Sequence, residues 1–454
     1  MALALAVWMN GSFVGLWDGT RGGVPRFTYA QSWVASAQAR PLSLSLPITA
    51  TRTQHGPAVE RWFDNLLPDS SSIRRRIQSR WRTPSSSPFD LLAAIGRDCV
   101  GAVQLLPDGM ASEGWDRIES EPMSEQDVAR HLDAVTGGGL YNAQGDEEDL
   151  RLSLAGAQEK TALLRIGSKW HRPRGATPTT HILKLPLGLV GNLQADMRES
   201  VENEWLCAQI SRALGLRVAG TEMGTFAGRK VLVVERFDRG WRGPGAQRSQ
   251  RKTFKPGPGD WIARLPQEDF CQALGAPPDA KYESDGGPGM AECLGVLAQS
   301  ENAGADRADF IKAQFVFWLL AATDGHAKNF SIAHRADNAY SMTPLYDVLS
   351  AWPVIGEEPH QISLHKAKLA MALRGKNKHY RLRDIRAQHW AALAARSGSP
   401  ALWMQLIECA ETLRGSLEGV QALLPDVFPA RLWSRVRAGM LAQAQGFVRE
   451  AGVL

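Results

Sequence analysis

Apolar side chains occupy almost every position of residues 310–322, and a short polar stretch follows them directly. A helix that is apolar on all sides is typical of a buried position in a protein core. The pattern therefore predicts a buried helix over residues 306–323 that stops at Gly325. It places Asp324 and Asn329 on a loop at the end of a rigid element, where functional side chains are often found.

Other patterns divide the chain into a β-rich part and a mainly helical part. Asn10-Gly11, between two apolar runs, is a strong hairpin signal. Residues 41–47 alternate with a period of two, which predicts a half-buried strand. Further predicted elements are helices over 58–67, 124–135 and 202–210, strands over 101–107, 180–186 and 230–238, a strand–turn–strand unit over 152–164, a hairpin over 330–342, and helices over 267–275, 399–422 and 430–450.

These elements predict an α+β fold made of three successive ranges. Residues 1–140 are expected to form a β-rich N-terminal subdomain, residues 150–240 a second lobe, and residues 260–454 a mainly helical lobe. A glycine-rich acidic stretch over 137–149 marks one boundary. Residues 239–260 are rich in Gly, Pro, Arg and Lys, which predicts a surface loop.

The composition is that of an ordinary globular chain, because 44% of its 454 residues are apolar and 22% are charged. No apolar stretch reaches the roughly 20 residues needed to span a bilayer, and the start of the chain predicts a first strand and not a signal peptide. Five scattered cysteines without a C-x-x-C spacing indicate reduced thiols and a cytoplasmic location. The net charge of +5 permits contact with nucleic acid without requiring it.

The candidate chemistry begins with Asp324 and Asn329, which are five positions apart. Protein kinases use that separation for the Asp that accepts the substrate proton and the Asn that binds a metal. Kinases also carry a second metal-binding Asp after a hairpin, and Asp347 follows the predicted hairpin. The structural alternative is that Asp324 caps a helix and Asp347 makes a turn. The ordered set of all three residues favours the kinase interpretation.

A second candidate region lies upstream, where small residues form a turn after Ser153. Small residues let backbone N–H groups approach phosphate oxygens, although such a turn alone is more often an ordinary hairpin. Lys184 lies in an apolar strand, and a buried lysine requires an anionic partner. Glu204, or alternatively Glu202, on the following predicted helix could supply a carboxylate. The structural alternative is a lysine that extends its amine to solvent.

A third candidate region is the end of the strand over 230–238, where an apolar run turns polar. In a kinase this would be the hinge, where the backbones of Glu235 and Phe237 contact adenine and Asp238 lies near the ribose. A basic cluster over residues 374–386 could meet DNA phosphates, although such clusters are more often solvated. The cations considered for DNA are Lys376, Lys378, Arg381 and Arg383.

Taken together, these motifs resemble the HipA family of bacterial toxin serine/threonine kinases, which belong to type II toxin–antitoxin systems. The resemblance extends over nearly the whole chain and rests on an ordered set of segments. They are residues 39–47, 62–69, 153–161, 177–184, 234–238, 265–269, 281–289, 322–329 and 344–347.

The resemblance implies a protein-kinase-like fold in two parts, with residues 150–240 as the nucleotide-binding lobe, and it implies ATP and Mg²⁺ as cofactors. Asp324 would be the general base, Asn329 and Asp347 the metal ligands, and Ser153 a site of inactivating autophosphorylation. The implied nucleotide-binding residues are Ala155, Gly156, Ala157, Gln158, Glu159, Lys160, Lys184, Glu235, Arg236, Phe237, Asp238, Gln267, His326, Lys328, Asn329 and Tyr346.

The resemblance also implies partners. Family members bind a small helix-turn-helix antitoxin, HipB, which holds them on operator DNA, and the precedent for their target is glutamyl-tRNA synthetase, a translation component. Two other interpretations stay open at this point. One is a kinase that acts on a small molecule or a lipid. The other is a DNA-bound co-repressor whose kinase site is vestigial.

Overall fold

The computed structural model describes residues 4–19, 23–136, 152–156, 158–191, 193–399 and 401–452. The fold is α+β, as predicted, and the chain divides into two compact units. Unit 1 contains residues 1–185, 224–279 and 332–340, and unit 2 contains residues 186–223, 280–331 and 341–454. The sequence patterns divided the chain into three successive ranges, 1–140, 150–240 and 260–454. These two discontinuous units do not test that division, which stays a prediction.

The regular elements of the described residues are as follows. The strands are β1 (Ala4–Met9), β2 (Ser12–Asp18), β3 (Arg26–Tyr29), β4 (Thr53–His55), β5 (Val103–Pro107), β6 (Ser120–Met123), β7 (Lys160–Ile166), β8 (Lys169–Pro173), β9 (His181–Lys184), β10 (Gly188–Val190), β11 (Ala195–Met197), β12 (Thr221–Phe226), β13 (Arg229–Glu235), β14 (Arg239–Arg242), β15 (Trp261–Arg264), β16 (Gln267–Asp269), β17 (Ser331–His334), β18 (Tyr340–Met342), β19 (Lys368–Arg374) and β20 (Lys378–Arg381). The helices are α1 (Gln31–Val34), α2 (Pro57–Asp64), α3 (Ser71–Trp81), α4 (Pro88–Ile95), α5 (Glu125–Thr136), α6 (Ser200–Ala213), α7 (Phe270–Ala273), α8 (Met290–Leu297), α9 (Ala303–Leu320), α10 (Ala387–Arg396), α11 (Leu402–Glu411), α12 (Leu413–Gln421) and α13 (Ala430–Ala451).

Unit 1 begins with an antiparallel sheet of order β4-β3-β2-β1-β5. The predicted hairpin at Asn10 and Gly11 is confirmed, because both residues have positive φ angles, of 45° and 79°. Such angles suit the tight turns that match strand twist. One face of this sheet packs on α2 and α4, where the Trp17 ring stacks on Phe63 at 3.9 Å between centroids. The N-terminal part therefore has a hydrophobic core of its own.

The second sheet of unit 1 carries the strands on which the nucleotide residues were predicted. Its order is β12-β13-β9-β7-β8-β6. Strand β9 lies between β7 and β13 with antiparallel partners on both sides. Leu163, Leu183 and Val233 are buried, and helix α5 packs Leu132 against them. A central strand with buried neighbours gives Lys184 a fixed position at its end.

Unit 2 is organised around helix α9, whose C-terminal two-thirds is buried almost continuously. The sequence predicted a helix that continues to residue 323 and stops at Gly325, but the helix ends at Leu320. Ala321 adopts a left-handed φ of 50°, and its N–H donates to the Trp318 carbonyl. The N–H of Ala322 reaches back to the Phe317 carbonyl, so the helix is capped without a glycine.

Three other local predictions are wrong, and a fourth is wrong in part. Residues 41–47 form no strand, because the hydroxyls of Ser43 and Ser45 bond to the Gln272 carbonyl. Residues 152–156 form isolated bridges and not the first strand of a hairpin. The helix over 267–275 is replaced by β16 and the short α7. The predicted loop over 239–260 begins with β14, which pairs with β15 directly after the loop, whereas residues 243–260 form no strand.

In the part of the chain that the structure describes, no helix has the length and apolarity to cross a bilayer. All five cysteines lie in the described part of the chain, where each is buried and none takes part in a disulfide.

Candidate active site

The loop after α9 is closed on itself by hydrogen bonds to one carbonyl. The Asp324 carbonyl accepts from the backbone N–H of His326 at 2.9 Å and from the side-chain Nδ2 of Asn329 at 2.7 Å. The N–H of Asn329 also donates to the His326 carbonyl. The spacing of five residues thus produces a short loop that turns back, and its asparagine is locked against the backbone of the aspartate.

The structure also brings Asp347 to this loop. The same Nδ2 atom of Asn329 lies 3.5 Å from the Asp347 carbonyl, a long second contact. Asp347 has a φ of 61°, in the left-handed region that a non-glycine residue seldom adopts. Three residues downstream, Ser350 is held by two hydrogen bonds to the Asn203 side chain of α6. Within unit 2, Asp324, Asn329 and Asp347 are therefore neighbours, as the sequence order predicted.

The Asp324 carboxylate is 53% exposed but has two ring neighbours in unit 2. The Tyr282 hydroxyl donates a hydrogen bond to its Oδ1 atom, and the His326 Nε2 atom lies 3.7 Å from the same oxygen. The Tyr282 and His326 rings meet edge to face at 5.0 Å. Sequence reasoning missed Tyr282, although the glycine-rich stretch that follows it shows a constrained turn.

Lys328 and Tyr346 belong to the support of this loop. Lys328 is buried, and its carbonyl accepts a hydrogen bond of 2.9 Å from the Tyr346 hydroxyl. That hydroxyl is also 2.5 Å from Ser331 Oγ. The phenol of Tyr346, the residue before Asp347, therefore contacts Lys328 and Ser331, which lie on either side of Asn329 in the chain. Contacts of these side chains to a nucleotide stay predictions.

In unit 1, the segment before the predicted phosphate turn is held by hydrogen bonds to residues between positions 66 and 98. Ser153 is fully buried, and its hydroxyl donates to the Leu66 carbonyl at 2.8 Å. Its N–H donates to the Asp98 carbonyl at 3.1 Å. The Gly156 carbonyl accepts from the N–H of Asp69. The Ser153 side chain therefore does not face solvent.

The turn itself brings a lysine close to the backbone. Gly156 has a φ of 105°, and a β-carbon there would lie 2.5 Å from the Lys160 Nζ atom. Lys160 pairs with Lys184 across β7 and β9, so both lysines face the same side of the sheet. The other residues predicted to bind the nucleotide from this turn have different surroundings. The Gln158 side chain donates to the Leu185 carbonyl, and Glu159 forms an ion pair with Arg76. Ala155 is half-buried, and Ala157 lies outside the described residues.

The predicted hinge adjoins a buried network of charges in unit 1. Arg236 and Arg239 both pair with the Asp238 and Asp98 carboxylates, and Arg264 reaches Asp98 at 3.2 Å. Burial alone would raise the pKa of Asp98, but Arg239, Arg236 and Arg264 outweigh it, so the pKa lies well below its usual range.

This network bears on the hinge predictions. Both Asp238 oxygens are occupied by arginines, and one also accepts the Gly101 N–H at 2.7 Å. These bonds weigh against a ribose contact, which stays a prediction. Glu235 is exposed at the end of β13, and Phe237 is half-buried, so their backbone contacts to adenine also stay predictions.

The structure also shows the contacts and burial of three other regions that were proposed from the sequence for binding. Gln267, at the start of β16, has a buried Oε1 atom without a hydrogen-bond partner among the described residues. Glu202 and Glu204 are both buried on α6, and the choice between them as partner of Lys184 stays a prediction. The basic cluster forms the β19–β20 hairpin, where Lys378 Nζ lies 3.0 Å from Glu283.

The donor set suits ATP with Mg²⁺. Because the Asn329 amide nitrogen is engaged by carbonyls, its Oδ1 oxygen is the atom that would face a cation, and the Asp347 carboxylate would supply a second hard oxygen ligand. In unit 1, the space that a β-carbon at Gly156 would fill lies next to Lys160. Close backbone and a fixed ammonium group are what phosphate oxygens require.

The fold and this loop define a protein of the kinase-like class, with an aspartate and an asparagine on one reversed loop and a second aspartate after a hairpin. The HipA N-terminal domain model matches residues 5–106, and the HipA-like C-terminal domain model matches residues 152–418. The chain belongs to the HipA family.

Individual relatives agree with this assignment. The chain is 34% identical over 408 residues to Y4mE of Sinorhizobium fredii, covering 87% of this chain and 86% of that protein. It is 27% identical over 333 residues to the serine/threonine-protein kinase toxin HipA of Shewanella oneidensis, covering 71% of this chain and 69% of that protein.

A solved structure has the same fold. It is the complex of Shewanella oneidensis HipA and HipB with operator DNA, which matches with a TM-score of 0.77 at 24% identity over 99% of both chains.

Proposed function

We propose that the chain is a toxin protein kinase that transfers the γ-phosphate of ATP to a serine or threonine hydroxyl. The observation that carries this proposal is the hydrogen bonding of Asn329 to the backbones of Asp324 and Asp347. These contacts bring together the candidate base Asp324 and the candidate metal ligands Asn329 and Asp347. The three residues follow one another in the chain in the same order as the corresponding residues of protein kinases. Membership of the HipA family supports the same reaction.

The proposed roles follow from the positions of the side chains. Asp324 is the general base, because its carboxylate is exposed at the tip of a fixed loop and can accept the hydroxyl proton. Asn329 and Asp347 hold Mg²⁺, which neutralises charge on the phosphates when bound. Lys184 and Lys160 bind phosphate oxygens from the sheet of unit 1.

Ser153 is proposed as the autophosphorylation site. In the unmodified chain its hydroxyl is buried against the Leu66 carbonyl, so no phosphate can be accommodated there. A phosphoserine carries close to two negative charges at neutral pH. It must therefore leave its place beside Leu66, and the segment up to Gly156 must detach from Asp69 and Asp98. That change removes the phosphate turn from the state in which it can bind ATP.

The proposed partners are a HipB-like antitoxin, operator DNA and a translation component. Support for the first two is the shared fold with a HipA chain solved with HipB and operator DNA. The exposed cations Lys376, Arg381 and Arg383 are candidates for DNA phosphates, whereas Lys378 is already paired with Glu283. Glutamyl-tRNA synthetase is the proposed substrate, and it rests on the family resemblance alone.

Mass spectrometry tests the proposal. The purified chain, treated with phosphatase, is incubated with Mg·ATP and bacterial lysate, with Asp347→Ala as the matched control. The expected result is phosphate on Ser153 and on serines or threonines of a translation protein, in the unsubstituted sample only. Phosphate found on small metabolites instead would indicate a small-molecule kinase. No incorporation anywhere would contradict kinase activity and favour a co-repressor.

A further inference from the structure

We propose that Tyr282 is a positioning residue for the reaction, and that its hydroxyl orients the Asp324 carboxylate toward the acceptor hydroxyl. This inference rests on the proposed kinase function. The side chain of a base that is 53% exposed has freedom to rotate, and that freedom must be lost before proton transfer. The hydrogen bond from Tyr282 to Oδ1 removes it.

The geometry assigns different tasks to the two carboxylate oxygens. Tyr282 donates to Oδ1, and His326 Nε2 lies on the same oxygen at 3.7 Å. This leaves Oδ2 as the oxygen to receive the acceptor proton. The edge-to-face contact between the Tyr282 and His326 rings holds the Tyr282 ring beside the carboxylate. His326 is itself buried, so the ring against which Tyr282 packs is fixed in the core.

Tyr282 is held in place by a tight turn. Its carbonyl accepts from the N–H groups of Asp285 and Gly287 at 3.0 and 2.9 Å. A β-carbon at Gly287 would lie 2.0 Å from the Ala280 carbonyl, and one at Gly289 would lie 2.5 Å from the Glu283 carboxyl carbon. The backbone contact therefore requires glycine at 287, and a side chain at 289 would displace the Glu283 carboxylate. The glycine-rich stretch packs the turn closely enough to present a rigid tyrosine.

The adjacent residue anchors the turn to the body of unit 2. Glu283 is buried, and its carboxylate accepts the Ala372 N–H of β19 at 2.7 Å and pairs with Lys378 of β20 at 3.0 Å. A charge-assisted hydrogen bond of this kind is stronger than a neutral one. Tyr282 is thus next to the anchored Glu283 in the chain and hydrogen-bonded to the candidate base Asp324. Its side chain is therefore more restricted than that of a free surface residue.

The test is a comparison of Tyr282→Phe with a matched control in the same turn, Ser284→Ala. Ser284 is exposed, and its hydroxyl contacts Asp285 instead of Asp324. Phenylalanine keeps the ring and the His326 contact and removes only the hydroxyl. Phosphatase-treated chains are mixed with radiolabelled Mg·ATP, and self-incorporation is followed in single turnover over a range of ATP concentrations.

The expected result for Tyr282→Phe is a rate constant at saturating ATP that is lower by about tenfold, part of the 10²–10⁴-fold that a positioned base supplies. The ATP concentration at half-maximal rate, the affinity for a fluorescent ATP analogue and the melting temperature should stay as in the unsubstituted chain. Ser284→Ala should match the unsubstituted chain in all four.

Three outcomes would overturn the inference. An unchanged rate constant would show that the hydroxyl does not act on the base. A faster rate would show that Tyr282 competes with the acceptor. An equal loss in Ser284→Ala, or a loss of nucleotide affinity, would show a general effect on the turn. If the unsubstituted chain itself incorporates no phosphate, the proposed function fails instead, which the same assay reveals.

Discussion

Residues 324–329 and residues 152–156 are held in place by different kinds of contact. The first segment follows a buried apolar helix, and Gly325 packs directly on the Phe317 ring of that helix. The second has no regular structure and is held by hydrogen bonds to Leu66, Asp69 and Asp98 of the same unit. The candidate catalytic loop thus adds close packing to its own hydrogen bonds, whereas the candidate phosphate segment depends on polar contacts that a charge can break.

This difference has a functional consequence under the proposed mechanism. A base must keep one geometry in every turnover, and close packing provides it. A segment that is to be switched by a phosphate must be releasable, and a few hydrogen bonds to carbonyls are individually weak. The four predictions below test the difference, beginning with the largest expected effect.

Asp98→Ala should be the most damaging substitution in unit 1. It leaves Arg236, Arg239 and Arg264 with only the Asp238 carboxylate in a buried site. Removing one partner of a buried ionic network costs about 3–5 kcal/mol of unfolding free energy. Urea denaturation measures the loss of unfolding free energy. The control is Asp108→Ala, at an exposed aspartate of the same unit. Equal stability of the two variants would show that the network does not support the fold.

Acid should weaken unit 1 well above the pH at which carboxylates titrate. Burial, followed by nearby arginines, lowers the pKa of both His131 and His181 to about 4. The unfolded chain binds these protons near pH 6.5. Stability is therefore complete above about pH 6.5 and declines as the pH falls toward about 4, by roughly 3 kcal/mol per histidine.

The measurement is the urea midpoint between pH 7.5 and 4.5, with His131→Gln as the comparison. Glutamine keeps a polar group near Thr161, the hydrogen-bond partner of His131, but has no proton to gain in this range. The substituted chain should show a shallower decline. A decline of the same steepness in both chains would contradict the role assigned to His131.

Gly325→Ala should impair catalysis through shape alone. A β-carbon at 325 would lie 2.4 Å from the buried Phe317 ring, so the loop must shift. Overpacking of this kind costs about 1–3 kcal/mol, and phosphate transfer should fall at least tenfold because Asp324 moves. Gly304→Ala, in helix α9 with no atom within 4 Å of the added carbon, should instead be neutral or slightly stabilising. Equal activity of the two variants would refute the steric account.

Ser153→Ala should have the smallest effect on stability. It removes one buried hydrogen bond to the Leu66 carbonyl, worth about 1 kcal/mol. Ser153→Asp should lose much more, because it places an unpaired charge at the same buried position. Thermal unfolding compares the two, and similar melting temperatures would show that Ser153 is not confined as described.

The contrast between the two segments also explains what could be predicted from the sequence. The loop at 324–329 was predictable because its spacing is local and its support is one helix of unmistakable pattern. Residues 152–156 were predicted as a strand because their partners, Leu66 and Asp98, are more than 50 positions away. The alternation in 41–47 was misread because serine hydroxyls bond to Gln272, which no periodicity shows.

Tyr282 was missed for a similar reason. Its hydrogen bond to Asp324 joins positions 42 apart in the chain. The sequence displayed the glycines that shape its turn but not the direction in which the phenol would point. The ion pairs of Asp238 with Arg236 and Arg239 were likewise not predicted, because a polar residue after a strand does not show which side chains will surround it.

The most direct test of the central claim is γ-phosphate transfer from radiolabelled Mg·ATP by Asp324→Asn, measured beside binding of a fluorescent ATP analogue. The asparagine keeps the backbone carbonyl that holds Asn329, so the loop and nucleotide affinity should persist. Transfer should fall by about 10²-fold or more, because the proton acceptor is gone. Transfer at the unsubstituted rate would contradict the assignment of Asp324 as the base.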